Sequence, residues 1–211
     1  MRWLALGDSY TIGEGVAAHE RWPERLALLL TAEGISVVPP RVVATTGWTA
    51  AELLTGIDAA GDGPTAGPYD LVTLLIGVND QYRGHALPAF APHYARCAER
   101  AIELAGGRPA CVVALSIPDW GATPFAAGRD RPAIAAAIDH YNAHERAHMA
   151  RLGVHWCDIT TLSRQHGDDV GYLAADGLHP SGAAYIQWAH AALPHARRAS
   201  VGMPPAESPY R

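Results

Sequence analysis

Short apolar runs alternate along this chain with longer stretches in which apolar positions recur every three or four residues. The runs cover residues 3–6, 37–44, 71–76, 111–117 and 154–159, lengths that suit strands better than helices. Residues 71–76 form the kind of apolar run expected of a central parallel strand buried on both faces. The run at 37–44 is interrupted by Pro39-Pro40. Proline cannot donate to a ladder, so this strand is predicted at an edge of the sheet.

Helical patterns fill the gaps. Residues 23–32 are rich in leucine and open with a proline in the first turn. Residues 49–57 form a short helix, and 88–105 and 132–152 form longer ones. Residues 181–198 begin at Ser181, a suitable N-cap, and end on basic residues. Strand–helix alternation predicts a parallel sheet covered on both faces. With right-handed crossovers it becomes an α/β, three-layer α/β/α sandwich, flavodoxin-like, with about five parallel strands. A single domain is expected over 1–198, followed at 199–211 by a loose tail containing Pro204, Pro205 and Pro209. The Gly- and Pro-rich stretch 56–68 runs from a helix into a strand, which places it as a surface loop opposite the ligand crevice.

Composition narrows the function classes. The chain has 211 residues, 49% hydrophobic and 18% charged, as expected of a globular fold with a sizeable core. Its net charge is −5, which argues against a nucleic-acid partner. Every one of its 16 basic residues is arginine, so a lysine nucleophile or Schiff base is excluded. Cys97, Cys111 and Cys157 are too few and too scattered for a disulfide framework. No basic-then-apolar leader precedes Leu4, and no apolar run approaches a membrane span. The expected location is the cytoplasm.

Candidate chemistry sits where the predicted strands end. Gly7-Asp8-Ser9-Tyr10 follows the first, Thr46-Gly47-Trp48 the second and Gly77-Val78-Asn79-Asp80 the third. Asp176-Gly177-Leu178-His179-Pro180 follows the fifth and precedes the last helix. Open α/β sheets bind ligands at this edge. A serine hydroxyl is a weak nucleophile and needs a neighbouring base. His179 is suited to that task, because histidine ordinarily titrates near working pH. Asp176, three residues earlier, can accept from the other imidazole nitrogen and fix the tautomer. The N–H groups of Ser9 and Gly47 and the side-chain amide of Asn79 are candidate oxyanion donors. Asp8 is a second candidate carboxylate, favoured for a structural role in its turn because Asp176 has the better spacing to His179.

These segments resemble the sequence blocks of the SGNH, or GDSL-type, esterase superfamily of serine hydrolases. Gly7-Asp8-Ser9-Tyr10 resembles the first block, with Tyr10 where leucine is commoner. Gly47 matches the second block's glycine, Gly77-Val78-Asn79-Asp80 the third block, and Asp176-Gly177-Leu178-His179 the fifth. The blocks occur in family order across residues 7–180. The resemblance implies hydrolysis of a small-molecule ester or thioester through an acyl-enzyme, with no metal or other cofactor.

Other readings compete. His144-Glu145-Arg146-Ala147-His148 spells a His-Glu-x-x-His zinc pattern. It lacks a suitable third ligand, since the only later glutamate is Glu207 and Arg151 stands where the extended motif needs glycine. By helical geometry Glu145 falls on the apolar stripe of Ile134, Ile138, Tyr141 and Leu152, an anomaly without an explanation in the sequence. Trp48, Tyr82 and Trp120 lie beside the motifs and either line the substrate pocket or pack in the core. Residues 118–131 form the longest loop at the catalytic edge and are the candidate specificity element. The leading expectation is a carboxylic-ester hydrolase favouring short acyl groups. A thioesterase or lysophospholipase and a carbohydrate acetylesterase would use the same residues. A noncatalytic flavodoxin-like binding module is disfavoured, because Asp8 and Glu14 flank the first turn and would repel phosphate.

Overall fold

The apolar runs become the strands of one parallel sheet. In the computed structural model, residues 1–61 and 68–205 are described. The strands are β1 (Trp3–Gly7), β2 (Arg41–Ala44), β3 (Leu71–Leu75), β4 (Val112–Leu115) and β5 (His155–Cys157). Their order is β2-β1-β3-β4-β5, and every neighbouring pair is parallel. Every residue of β1, β3 and β4 is buried, which explains why these segments read as apolar runs rather than alternating patterns. β2 begins only after Pro39-Pro40 and lies at the edge, where the missing N–H groups cost no ladder bonds.

Eight α-helices connect these strands among the described residues: α1 (Ser9–Ile12), α2 (Trp22–Ala32), α3 (Ala50–Ala59), α4 (Val78–Tyr82), α5 (Leu87–Leu104), α6 (Arg131–Leu152), α7 (Thr160–Gln165) and α8 (Gly182–Ser200). α2 and α8 pack together on one side, and α3, α5 and α6 pack in series on the other. The result is the three-layer α/β/α sandwich expected from the alternation. The long helices start where capping chemistry places them. Thr49 and Glu52 form a reciprocal capping box, Asp130 accepts the Ala133 N–H, and Ser181 accepts the Ala184 N–H. α1, α4 and α7 show no periodic pattern in the sequence, because they are too short for one.

Of the 56–68 stretch, residues through Ala59 belong to α3, and 62–67 lie outside the described residues. At the other end, α8 runs to Ser200. Residues 201–205 fold back, with the Arg198 guanidinium donating to the Pro204 carbonyl; 206–211 are not among the described residues. Among the described residues no helix is long and apolar enough to cross a membrane.

The strand order reverses between β1 and β3. That switch point opens a crevice outside the carboxyl ends of the two strands. The turns that follow them carry Ser9 and Asn79, so the topology itself brings these two distant residues to one place.

Candidate active site

The first wall grows out of β1. Asp8 caps α1, its Oδ1 accepting the Tyr10 N–H at 3.0 Å. Ser9 is therefore the first helical residue, where the backbone N–H has no intrahelical acceptor. Asp8 is fully buried. Burial pushes its carboxyl up to about 7, against the Tyr10 N–H, and the neighbouring Asp80 charge adds to the rise.

The second wall joins the turns after β2 and β3. Gly47 sits at φ +86°, in the left-handed region that favours glycine. Its carbonyl accepts from Arg83 Nη2 at 2.6 Å, and Arg83 also pairs with Glu52 at 3.3 Å. Asn79 Nδ2 donates to the Trp48 carbonyl at 2.9 Å. An amide has two N–H bonds, so one ties the turns together and the second remains for the pocket that Asn79 lines. Beneath them, Asp80 Oδ2 accepts the Ala50 N–H at 2.9 Å, stitching α4 to the start of α3.

The third wall is the loop before α8. Asp176 Oδ1 accepts the N–H groups of Leu178 and His179, each at 2.9 Å. Its Oδ2 lies 2.5 Å from His179 Nδ1. Partial burial works to raise this carboxyl, but the hydrogen bonds from the His179 ring and the two backbone N–H groups hold it below the usual aspartate range. With Nδ1 engaged, Nε2 is the ring nitrogen left free for other chemistry.

Ser9, Gly47, Asn79 and His179 line one pocket of about 170 Å³, together with Tyr10, Tyr82, Trp120, Phe125 and Leu178. Ser9 is 4% exposed, and its hydroxyl makes no hydrogen bond among the described residues, to His179 or to any other group. Such contacts are often long without substrate and tighten when it binds. Tyr82, Trp120 and Phe125 form an aromatic wall with ring centroids 5.2 to 6.2 Å apart. Trp120 is pinned through its Nε1 to Gln81 at 2.7 Å, and the Arg129 guanidinium lies over all three rings. Trp48 is placed elsewhere: its indole packs against Gly56 of α3, where a Cβ would collide with it, and it is not among the residues that line the pocket. The signal for Phe125 was its position in the 118–131 loop. Arg83 gave no signal, since its role depends on a fold that brings it over Gly47.

The His-Glu-x-x-His segment lies on α6, away from the pocket. The His144 and His148 rings stack at 6.4 Å, but Glu145 turns into the core at 0% exposure. Among the described residues, no three His, Cys, Asp or Glu side chains group as metal ligands.

Solved structures with the same fold include TesA, which is 22% identical with a TM-score of 0.72 and covers 94% of this chain and 99% of its own. The psychrotrophic esterase EstA from Pseudoalteromonas, in a structure inhibited by monoethylphosphonate, is 17% identical with a TM-score of 0.69, covering 93% and 96%. Axe2, an acetyl-xylooligosaccharide esterase from Geobacillus, is 19% identical with a TM-score of 0.68, covering 92% and 93%. No curated protein sequence matches the chain. The model of the GDSL-like lipase/acylhydrolase family matches residues 5–186. A match over that much of the sequence shows that the chain belongs to the GDSL-like lipase/acylhydrolase family.

Proposed function

We propose that this protein hydrolyses carboxylic esters of small molecules, with Ser9 as nucleophile, His179 as general base and Asp176 as the group that orients the base. The observation that carries the reading is the Asp176–His179 pair at 2.5 Å in the wall of the pocket that also holds Ser9. Asp176 fixes the proton on Nδ1, and Nε2 then accepts the Ser9 proton as Oγ attacks the ester carbonyl carbon. The resulting oxyanion meets the N–H groups of Ser9 and Gly47 and the free N–H of Asn79. Collapse expels the alcohol, which takes the proton from His179, and leaves an acyl-Ser9 ester. Water repeats the sequence and releases the carboxylic acid. The cycle as written uses no cofactor. A fluorophosphonate probe tests the nucleophile directly: stoichiometric labelling at Ser9 supports the reading, and an inert Ser9 overturns it.

Asn79→Ala is expected to lower kcat by about two to three orders of magnitude with a smaller change in KM, the usual cost of one lost oxyanion donor. Steady-state kinetics on an aryl acetate check this. An unchanged kcat removes Asn79 from the oxyanion hole.

The pocket also argues for short acyl groups. Its volume of about 170 Å³ is comparable with that of a cavity of about 150 Å³ that binds benzene, which suits a short acyl group. Tyr10, Trp120 and Leu178 also line a second, smaller cavity of about 30 Å³. A methylene contributes about 0.8 kcal/mol, roughly fourfold in kcat/KM, only where it is buried. Across a matched aryl-ester series, kcat/KM should therefore peak at about two to six carbons and level or fall beyond. A steady rise to ten carbons would replace this reading with a lipid or long-chain thioester substrate. Removal of acetyl groups from a carbohydrate is the alternative that the small pocket and its aromatic wall also suit.

A further inference from the structure

Glu145 is the one residue of the α6 core face that the sequence leaves unexplained, and the proposed chemistry does not use it. The buried residues of that face are Ile138, Tyr141, Glu145 and Met149. Glu145 is 0% exposed, and neither carboxyl oxygen has a hydrogen-bond partner among the described residues. The Tyr94 hydroxyl faces it without completing a hydrogen bond. Burial pushes the carboxyl well above the usual glutamate range, and the charges of Asp80 and Asp8 push it the same way. The direction of the shift suits the site, because a full negative charge behind an oxyanion hole would oppose the charge that develops there.

Its position is specific. Glu145 Oε1 lies 2.9 Å from where a Cβ on Gly77 would sit, beside Ile117 Cδ1 at 2.9 Å and Phe90 Cζ at 3.1 Å. Gly77 has φ +123° and starts α4 with no side-chain cap. The turn that presents Asn79 therefore rests on the Glu145 carboxyl. The same helix holds the neighbouring loops: Tyr141 donates to the His85 carbonyl just past α4, and Asn142 bonds both the N–H and the carbonyl of Ile117 after β4.

We propose that Glu145 is a positioning residue for the hydrolysis: its carboxyl group, packed behind Gly77, holds the Gly77–Val78–Asn79 turn in the geometry that aims Asn79 into the oxyanion hole. The role rests on the ester-hydrolase reading and extends it to a residue outside the pocket.

The test is a double-mutant cycle on an aryl acetate, with folding checked by circular dichroism and thermal melting. Glu145→Leu should fold, since it completes an apolar stripe, and should lower kcat about tenfold or more with KM changed less than about threefold. Glu145→Gln, which copies the shape of the carboxyl group, should stay within about threefold of the wild-type kcat. In an Asn79→Ala background, Glu145→Leu should cost less than about threefold further, because the donor it positions is already gone. If Glu145→Leu does not fold, Glu145→Met takes its place in the cycle. The proposal is overturned by a wild-type kcat in the apolar variant, by an equal loss in the Asn79→Ala background, or by a glutamine variant no better than leucine. Wild-type protein that shows neither turnover nor Ser9 labelling overturns the ester-hydrolase reading and this role together. Wild-type turnover with an indifferent Glu145 overturns this role alone.

Discussion

Ser9→Ala is expected to abolish ester turnover while leaving the fold intact. The fold should survive because Asp8, not Ser9, caps α1, and because the Ser9 hydroxyl makes no hydrogen bond among the described residues. The chemistry should not survive, because the pocket lining contains no other serine. Without a nucleophile only oxyanion stabilisation and binding remain, and the loss in kcat in a triad hydrolase is then about 10⁴-fold or more. The measurement is kcat on an aryl acetate beside a fluorophosphonate label and a thermal melt. Retention of more than about 1% of kcat, with contamination excluded, would falsify the assignment. Thr46 would then be the next hydroxyl to consider, although it is hydrogen-bonded to Glu14 at the pocket wall.

Several parts of this structure were legible in the sequence for definite physical reasons. Strands buried on both faces are predominantly apolar, so β1, β3 and β4 announce themselves, and the buried Thr73 of β3 is satisfied by the Trp3 indole N–H. Pro39-Pro40 marks an edge because proline has no N–H to give. Parallel strands joined through helices leave their carboxyl ends on one side. Segments far apart in the chain, Gly7–Ser9, Gly47, Gly77–Asn79 and Asp176–His179, are therefore assignable to one crevice from the sequence alone.

Other parts depend on contacts that no local pattern encodes. Trp48 follows Gly47 directly, yet its indole packs against Gly56 of α3 and its carbonyl anchors Asn79. Adjacency in sequence gives the position of the backbone, not the direction of the side chain. Glu145 could be flagged as an anomaly on its stripe, but its neighbour, Gly77, lies 68 residues away and becomes visible only when α6 packs against α4. Arg83 is similar: nothing beside it in the sequence points to Gly47, and in the fold it clamps the Gly47 carbonyl.

Asp176→Asn is the second large effect to expect, a fall in kcat of about 10³- to 10⁴-fold with KM little changed, by analogy with other triads whose aspartate is made neutral. The geometry gives the reason. Asp176 Oδ1 already accepts two backbone N–H groups, and Oδ2 faces His179 Nδ1. An asparagine must keep its carbonyl oxygen on those two backbone donors, which turns its NH₂ toward Nδ1. Nδ1 must then present a lone pair, the proton moves to Nε2, and Nε2 can no longer accept from Ser9. The opposite amide orientation is worse, because it sets the NH₂ against two N–H groups and leaves both unsatisfied. Stability should change little in comparison, since Asp176 is itself substantially exposed and its loop keeps the Ala174 N–H to His179 carbonyl bond at 2.7 Å. Kinetics and a thermal melt on the same preparation separate the two effects. A variant that keeps more than about a tenth of the wild-type kcat would show that Asp176 does not set the tautomer. The backbone around the loop would then have to orient the imidazole.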